Sequence, residues 1–316
     1  MGGFEQILRV TQRAPVPGQP QRPDHLEDAI YGFERGKLPS PQGDHGFFTD
    51  TSICIGCKAC EVACKQWNQL PADDVAWSGK GYDNTQALSA TSWRHVKFIE
   101  RFDTQPAVPP APAAGGFDLA ALLAEPKRGA WLMLSDQCKH CFDSPCHKAC
   151  PTGAIIQNEY RGIFIQPDLC TGCQSCVSVC PFGVPQVSEI DGHSHKCTMC
   201  YDRLVDGLQP ACATACPTGS ISFGKTADLQ AAAAERLGVL HARGHADARL
   251  YGDQPGPSYS QLQSFYLLLA EPAVYGLPDR PVDPWIHMRG DYLRGAATLA
   301  LSLALAAAAM ILGGAA

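Results

Sequence analysis

Cys170-Thr171-Gly172-Cys173-Gln174-Ser175-Cys176-Val177-Ser178-Val179-Cys180-Pro181 is the stretch on which the fold turns. Two-residue gaps separate its first three cysteines, a three-residue gap leads to the fourth, and proline then turns the chain away. Gaps this short let one tight loop present three thiolates to a single compact centre while backbone N–H groups point at the sulfurs. Working outward, the 16 cysteines of the 316-residue chain fall into quartets with none left over. The first is Cys54, Cys57, Cys60 and Cys64; the second Cys138, Cys141, Cys146 and Cys150; the third is the stretch quoted; the fourth is Cys197, Cys200, Cys212 and Cys216. This is an internal repeat.

The third quartet matches the bacterial ferredoxin run, in which three cysteines hold one iron-sulfur cubane and the fourth reaches a second. The second quartet widens one gap (Cys141 to Cys146), the fourth widens another (Cys200 to Cys212), and both keep the proline after the last cysteine; the first has regular spacing with Lys65 in place of proline. These departures are insertions, with every ligand kept. Disulfides fit poorly, because secreted disulfide scaffolds are short and carry a signal peptide, and residues 1–46 contain no apolar run of that length. All-cysteine zinc sites are the stronger rival. Yet a third cysteine after a further two-residue gap, as in quartets one and three, is not the paired-knuckle pattern of zinc ribbons. Four [4Fe-4S] clusters are expected.

If the ferredoxin sharing rule holds, the fourth cysteine of each quartet ligates the partner quartet's cluster. Adjacent quartets two and three make an inner pair: Cys138, Cys141 and Cys146 with Cys180, and Cys170, Cys173 and Cys176 with Cys150. The outer pair is then Cys54, Cys57 and Cys60 with Cys216, and Cys197, Cys200 and Cys212 with Cys64. The inner module is thereby inserted into a discontinuous outer one.

The net charge of −6 offers no broad cationic surface for nucleic acid. The expected organisation is an N-terminal extension at 1–46, an outer module at 47–102 and 190–225, a Pro/Ala-rich linker at 103–126, an inner module at 127–189, a C-terminal extension at 226–290 and an anchor helix at 291–316. Strands are expected near 92–100, 162–166 and 220–223, a helix at 226–240, and a further short helix at 261–269. After residue 295 about 17 uncharged residues, leucine among many alanines, read as a short transmembrane helix at the lower limit of length, with Trp285 and Tyr292 at the interface. Lys65, Lys139 and Lys196 each abut a ligand cysteine, where a cation favours the reduced cluster. His140 and His147 are expected to pack or hydrogen-bond, and Trp67 and Trp93 to exclude water from the core.

The words between the cysteines carry a family likeness. CIGCKACEVACKQWN (54–68), SWRHVKF (92–98), KHC (139–141), CPTGAI (150–155), KCTMCYDRLVDGLQPACATACPTGSI (196–221), LYGD (250–253) and FYLLLAEPAVYGLP (265–278) resemble the iron-sulfur beta subunit of membrane-associated formate dehydrogenase. The resemblance covers nearly all of 47–278. It implies an α+β fold of two ferredoxin-like 2[4Fe-4S] modules related by a pseudo-twofold, followed by one transmembrane helix. It also implies a non-catalytic subunit with no small-molecule substrate of its own. Such a subunit relays electrons from a molybdenum- or tungsten-pterin catalytic subunit to a cytochrome b membrane subunit and quinone, at the bacterial inner membrane with its head on the periplasmic face. Arg289 and Arg294 ahead of the anchor point by the positive-inside rule to the alternative, a cytoplasmic head. Iron-sulfur subunits of nitrate, dimethyl sulfoxide or polysulfide reductases share the four-quartet layout, and a free-standing polyferredoxin carrier is the alternative of another class.

Overall fold

The computed structural model describes residues 44–72, 79, 82–101, 130–285 and 288–313. These fall in one unit, Gln42–Ala316. Nearly all of the expected extension at 1–46 and the linker at 103–126 lie outside the described residues. The first half of the chain supplies β1 (His45–Asp50), α1 (Ala59–Asn68), β2 (Arg94–Arg101), β3 (Ala130–Gln137), α2 (Pro145–Lys148), β4 (Ile155–Gln157) and β5 (Ile163–Ile165). The second half adds α3 (Ser175–Val179), β6 (Gln186–Val187), β7 (Ser194–His195), α4 (Tyr201–Val205), α5 (Ala211–Thr214) and β8 (Ile221–Lys225). Beyond these come α6 (Thr226–Ala242), β9 (Arg249–Tyr251), β10 (Ser264–Leu268) and α7 (Met288–Gly313).

A four-stranded sheet in the order β8-β1-β10-β9 organises the unit, and three antiparallel hairpins, β2-β3, β4-β5 and β6-β7, surround the cysteine loops. Strand β1 runs parallel to β10, with Phe48 opposite Phe265, and antiparallel to β8, with Phe47 opposite Phe223. Side chains alternate across a strand, so the sheet buries two different faces. Phe48, Phe265 and Leu267 pack under Leu229, Ala233 and Leu240 of α6. Phe47 lies on the other face with Cys60, Met199, Leu204, Cys212 and Ile221, among the metal loops. Each fully buried Phe or Leu contributes roughly 1.5–3 kcal/mol by leaving water, so the sheet is a rigid floor on which the loops are fixed.

The helix expected at 226–240 is present as α6, and the expected strands appear as β2, β5 and β8. Residues 264–268, expected to be helical, are strand β10 instead, buried along its whole length between β1 and β9. A strand covered on both faces is apolar without alternation, which hides its period. The terminal expectation is also corrected. Helix α7 is 26 residues long, but among the described residues no helix is long and apolar enough to cross a membrane. Asp291 and Arg294 pair at 3.4 Å in its opening turns, and weakly apolar alanine dominates its later ones. Leu299, Leu301, Leu303 and Leu305 of this helix are exposed, and their two-residue spacing distributes them around it.

Candidate metal centres

The first and third cysteine loops lead into their helices through left-handed backbone. Gly56 and Gly172 both have φ near +66°, followed two residues later by Lys58 at +59° and Gln174 at +63°. At Gly172 a Cβ would stand 2.1 Å from the carbonyl oxygen of Gly192. An L side chain there adds about 1–2 kcal/mol of left-handed strain to that clash. Gly172→Ala is therefore expected to lose one intact cubane, read by electron paramagnetic resonance (EPR) spin counting, with the other three retained.

The second and third quartets surround two hollows. One, of about 350 Å³, is lined by Cys138, Cys141, Cys146 and Cys180, with Lys139, His140 and Lys196 in its wall. The other, of about 300 Å³, is lined by Cys150, Cys170, Cys173 and Cys176. In the outer region Cys54 lies in the field of Cys57 and Cys216. Cys64 lies in that of Cys197, Cys200 and Cys212. Among the described residues no group of three His, Cys, Asp or Glu side chains is placed to hold a single metal ion. The thiols of the second and third quartets line hollows, the arrangement a cube with thiolates on its corners requires.

Hydrogen bonds to sulfur recur through the site. The N–H groups of His140, Met199 and Ser194 donate to the sulfurs of Cys138 (3.5 Å), Cys197 (3.4 Å) and Cys170 (3.3 Å). Side-chain hydroxyls reach others: Ser135 to Cys60 at 3.2 Å, Ser194 to Cys176 at 3.3 Å, Thr152 to Cys150 at 3.6 Å and Thr218 to Cys216 at 3.7 Å. Such donors stabilise negative sulfur and tune whatever iron it binds. Burial, then the nearby thiols, pushes Cys197 up to about 12; burial pushes Cys146 up to about 12 and Cys60 up to about 11, against the pull of Lys196 and Arg94 respectively. A metal that binds these thiols displaces their protons to solvent, so loading is proton-coupled. At the surface the order reverses. Hydrogen bonding with Ser175 holds the Cys173 thiol below its ordinary value. Burial tends to raise Cys150, but bonds from Thr152, Ile155 and Ala154 bring it below the ordinary thiol range.

The other singled-out residues divide. His140 is fully buried and its Nδ1 accepts the Ile163 N–H at 3.0 Å, whereas His147 is exposed. Trp93 packs with Cys138 and Cys197 as expected. Trp67 is not core: it is 37% exposed, donates to Asp202 at 2.9 Å and lies under the Arg203 guanidinium, because its place on the outer side of α1 faces α4 rather than the sheet. Lys65 reaches the Pro71 carbonyl at 3.1 Å. Lys139 and Lys196 are fully enclosed: Lys139 pairs with Asp136, and Lys196 donates to the carbonyls of Ile163 and Cys197. Sequence reasoning missed the hydroxyl donors and Arg94, a buried cation on β2. The repeated Cys-Pro-Thr at 150–152 and 216–218 was a legible signal for the two threonines.

The hollows, the cysteine quartets and the N–H···S bonds fit iron-sulfur clusters, and they define the chain as a ferredoxin-like protein of the 4Fe-4S class. A family model described as a 4Fe-4S dicluster domain matches residues 129–226, and a 4Fe-4S binding domain matches 51–67. The formate dehydrogenase iron-sulfur subunit of Haemophilus influenzae is 36% identical over 280 residues, covering 86% of this chain and 82% of the relative. The formate dehydrogenase-O iron-sulfur subunit of Escherichia coli is 36% identical over 253 residues, 78% of this chain and 76% of the relative. More distantly, a component of the anaerobic dimethyl sulfoxide reductase of Escherichia coli is 31% identical over 59% of this chain and 76% of the relative. The chain belongs to the family of formate dehydrogenase iron-sulfur subunits, and its sixteen cysteines fit four [4Fe-4S] clusters.

Proposed function

We propose that this chain is the non-catalytic conductor of a formate dehydrogenase complex, taking electrons from a molybdenum- or tungsten-pterin catalytic subunit and delivering them to a cytochrome b membrane subunit and quinone. The observation that carries this is the order in which the quartets meet. Cys60, Cys212 and Cys216 share one buried group, Cys138 and Cys197 another, and Cys146 and Cys176 a third. With the thiols shared as the ferredoxin rule assigns them, the four ligand sets therefore succeed one another as Cys54/Cys57/Cys60/Cys216, Cys64/Cys197/Cys200/Cys212, Cys138/Cys141/Cys146/Cys180 and Cys150/Cys170/Cys173/Cys176. Exposed cysteines stand at the two ends, Cys57 and Cys173. Each [4Fe-4S] cluster supplies a one-electron site; the protein's part is to space, desolvate and hydrogen-bond the thiolates. A path buried in the middle and open at both ends suits transfer between two docked partners.

Local correspondences support two modules related by a pseudo-twofold, one nested in the other. Strand β8 comes after Cys216-Pro-Thr-Gly and pairs with β1 ahead of quartet one, as β4 comes after Cys150-Pro-Thr-Gly and pairs with β5 ahead of quartet three. The head is assigned to the periplasmic face of the inner membrane, with the exposed leucines of α7 seated against the membrane side of the complex. Protease accessibility in spheroplasts tests that face, and protection from external protease overturns it. Anaerobic purification tests the function as a whole. The conductor reading expects copurification with a large pterin-bearing subunit and a haem-bearing one, and about sixteen iron atoms with acid-labile sulfide in this chain. A loaded monomer that copurifies with neither would make it a free carrier.

A further inference from the structure

Arg94 is 2% exposed, and nothing in the established role of the family's cysteines requires it. It lies at the start of β2, with its guanidinium carbon 5.3 Å from the centre of the Phe47 ring. Its Nη1 donates to Ser135 Oγ at 2.8 Å, and Ser135 Oγ lies 3.2 Å from Cys60 Sγ. Because the Ser135 oxygen is already accepting from Arg94, its own hydrogen is free for the sulfur, and the three groups form a donor chain running from cation to thiolate. The second terminal nitrogen, Nη2, is buried without a hydrogen-bond partner among the described residues. The charge also acts on Cys64, Cys197 and Cys212, which the sharing rule assigns to the neighbouring cluster. Among the described residues no carboxylate forms an ion pair with it, in contrast to Lys139, whose charge Asp136 offsets.

We propose that Arg94 is a positioning residue for the outer cluster pair: a fixed buried cation shared by two clusters that raises both their reduction potentials, and that through Ser135 orients a hydrogen bond onto Cys60. An enclosed positive charge stabilises the more negative, reduced state of each cluster, and low local dielectric lets that effect reach both. Guanidinium suits the place because it stays charged when buried and divides its donors in two directions. The inference rests on the quartet pairing proposed above.

The test is an EPR-monitored redox titration of the purified complex, with iron content measured alongside. Arg94→Gln is expected to lower two of the four midpoints, each by about a tenfold change in the reduction equilibrium, or ~59 mV for one electron, with the other two unmoved. Arg94→Lys restores most of the shift by restoring charge. Ser135→Ala lowers one midpoint only, that of the Cys60 cluster. Four intact clusters with unmoved midpoints in Arg94→Gln overturn the role of Arg94, as does an equal fall in all four, which marks general loosening. If Arg94→Gln fails to assemble, the other two variants decide: a fall of both outer midpoints in Arg94→Lys, or none in Ser135→Ala, overturns the proposal. Iron far below sixteen atoms in the parent protein would instead sink the cluster reading itself.

Discussion

Alanine at Cys57 and alanine at Cys216 are expected to remove the same cubane, although 159 positions separate them. Each single variant should lose one of four intact [4Fe-4S] signals by spin counting, and the double variant no more than one. The contrasting double, Cys212→Ala with Cys216→Ala, should lose two, although those cysteines are only four positions apart. The reason is the sharing geometry, in which the last thiol of one quartet crosses to the partner's cube. Double-variant logic reads it directly, since effects that share one target do not add. The opposite pattern, with Cys212 and Cys216 behaving as one unit and Cys57 and Cys216 as two, would show that each quartet closes on its own cluster.

Asp136→Ala should be the most destabilising single change outside the ligands, at about 3–5 kcal/mol. Asp136 is 4% exposed and receives Lys139, Lys97 at 2.9 Å and the Tyr266 hydroxyl at 3.1 Å. Removing it leaves Lys139 enclosed without its counter-charge. Lys139→Met added to Asp136→Ala should therefore recover most of the loss, measured by denaturant unfolding under anaerobic conditions. No recovery would mean that packing, not charge, is what Asp136 supplies. The pH dependence has a definite sign. Burial tends to raise the Asp136 carboxyl, but the lysines outweigh it and hold it well below the usual carboxylate range. A depressed folded value stabilises the protein at every pH above the unfolded value of about 3.9, and the benefit fades as pH falls from there and is gone once pH has passed through the folded value. Between pH 7 and pH 5 the difference between parent and Asp136→Ala should stay constant.

The metal centres were readable from the sequence because ligand loops are local: the gaps between cysteines and the glycines that allow left-handed turns lie within a dozen residues. Where contacts were distant, reading stopped. Strand β10 looked helical because both its faces are covered, and one of the two strands that pair with it, β1, lies more than two hundred positions earlier. Trp67 looked like core, but which side of α1 meets the sheet depends on where α4 arrives. Arg94 was invisible because an arginine beginning a strand ordinarily faces water; its burial comes from Phe47 and Ser135 closing over it, and neither is a neighbour in sequence. Lys139 and Lys196 were singled out by adjacency alone, and the structure separates them by showing that one has a carboxylate and the other carbonyls.

The β1-β8 pairing has a consequence for biogenesis. Asp50 bonds to Ser220, 170 positions later, so β1, the first of the described strands to leave the ribosome, waits for most of the chain before it finds a neighbour. The β4-β5 hairpin and its cysteines are complete much sooner, and closing a short loop is faster and entropically cheaper than closing a long one. Iron delivery during synthesis should therefore fill the nested half first and seal the enclosing half last, leaving Cys54, Cys57 and Cys60 as the thiols most open to oxidation in a nascent chain.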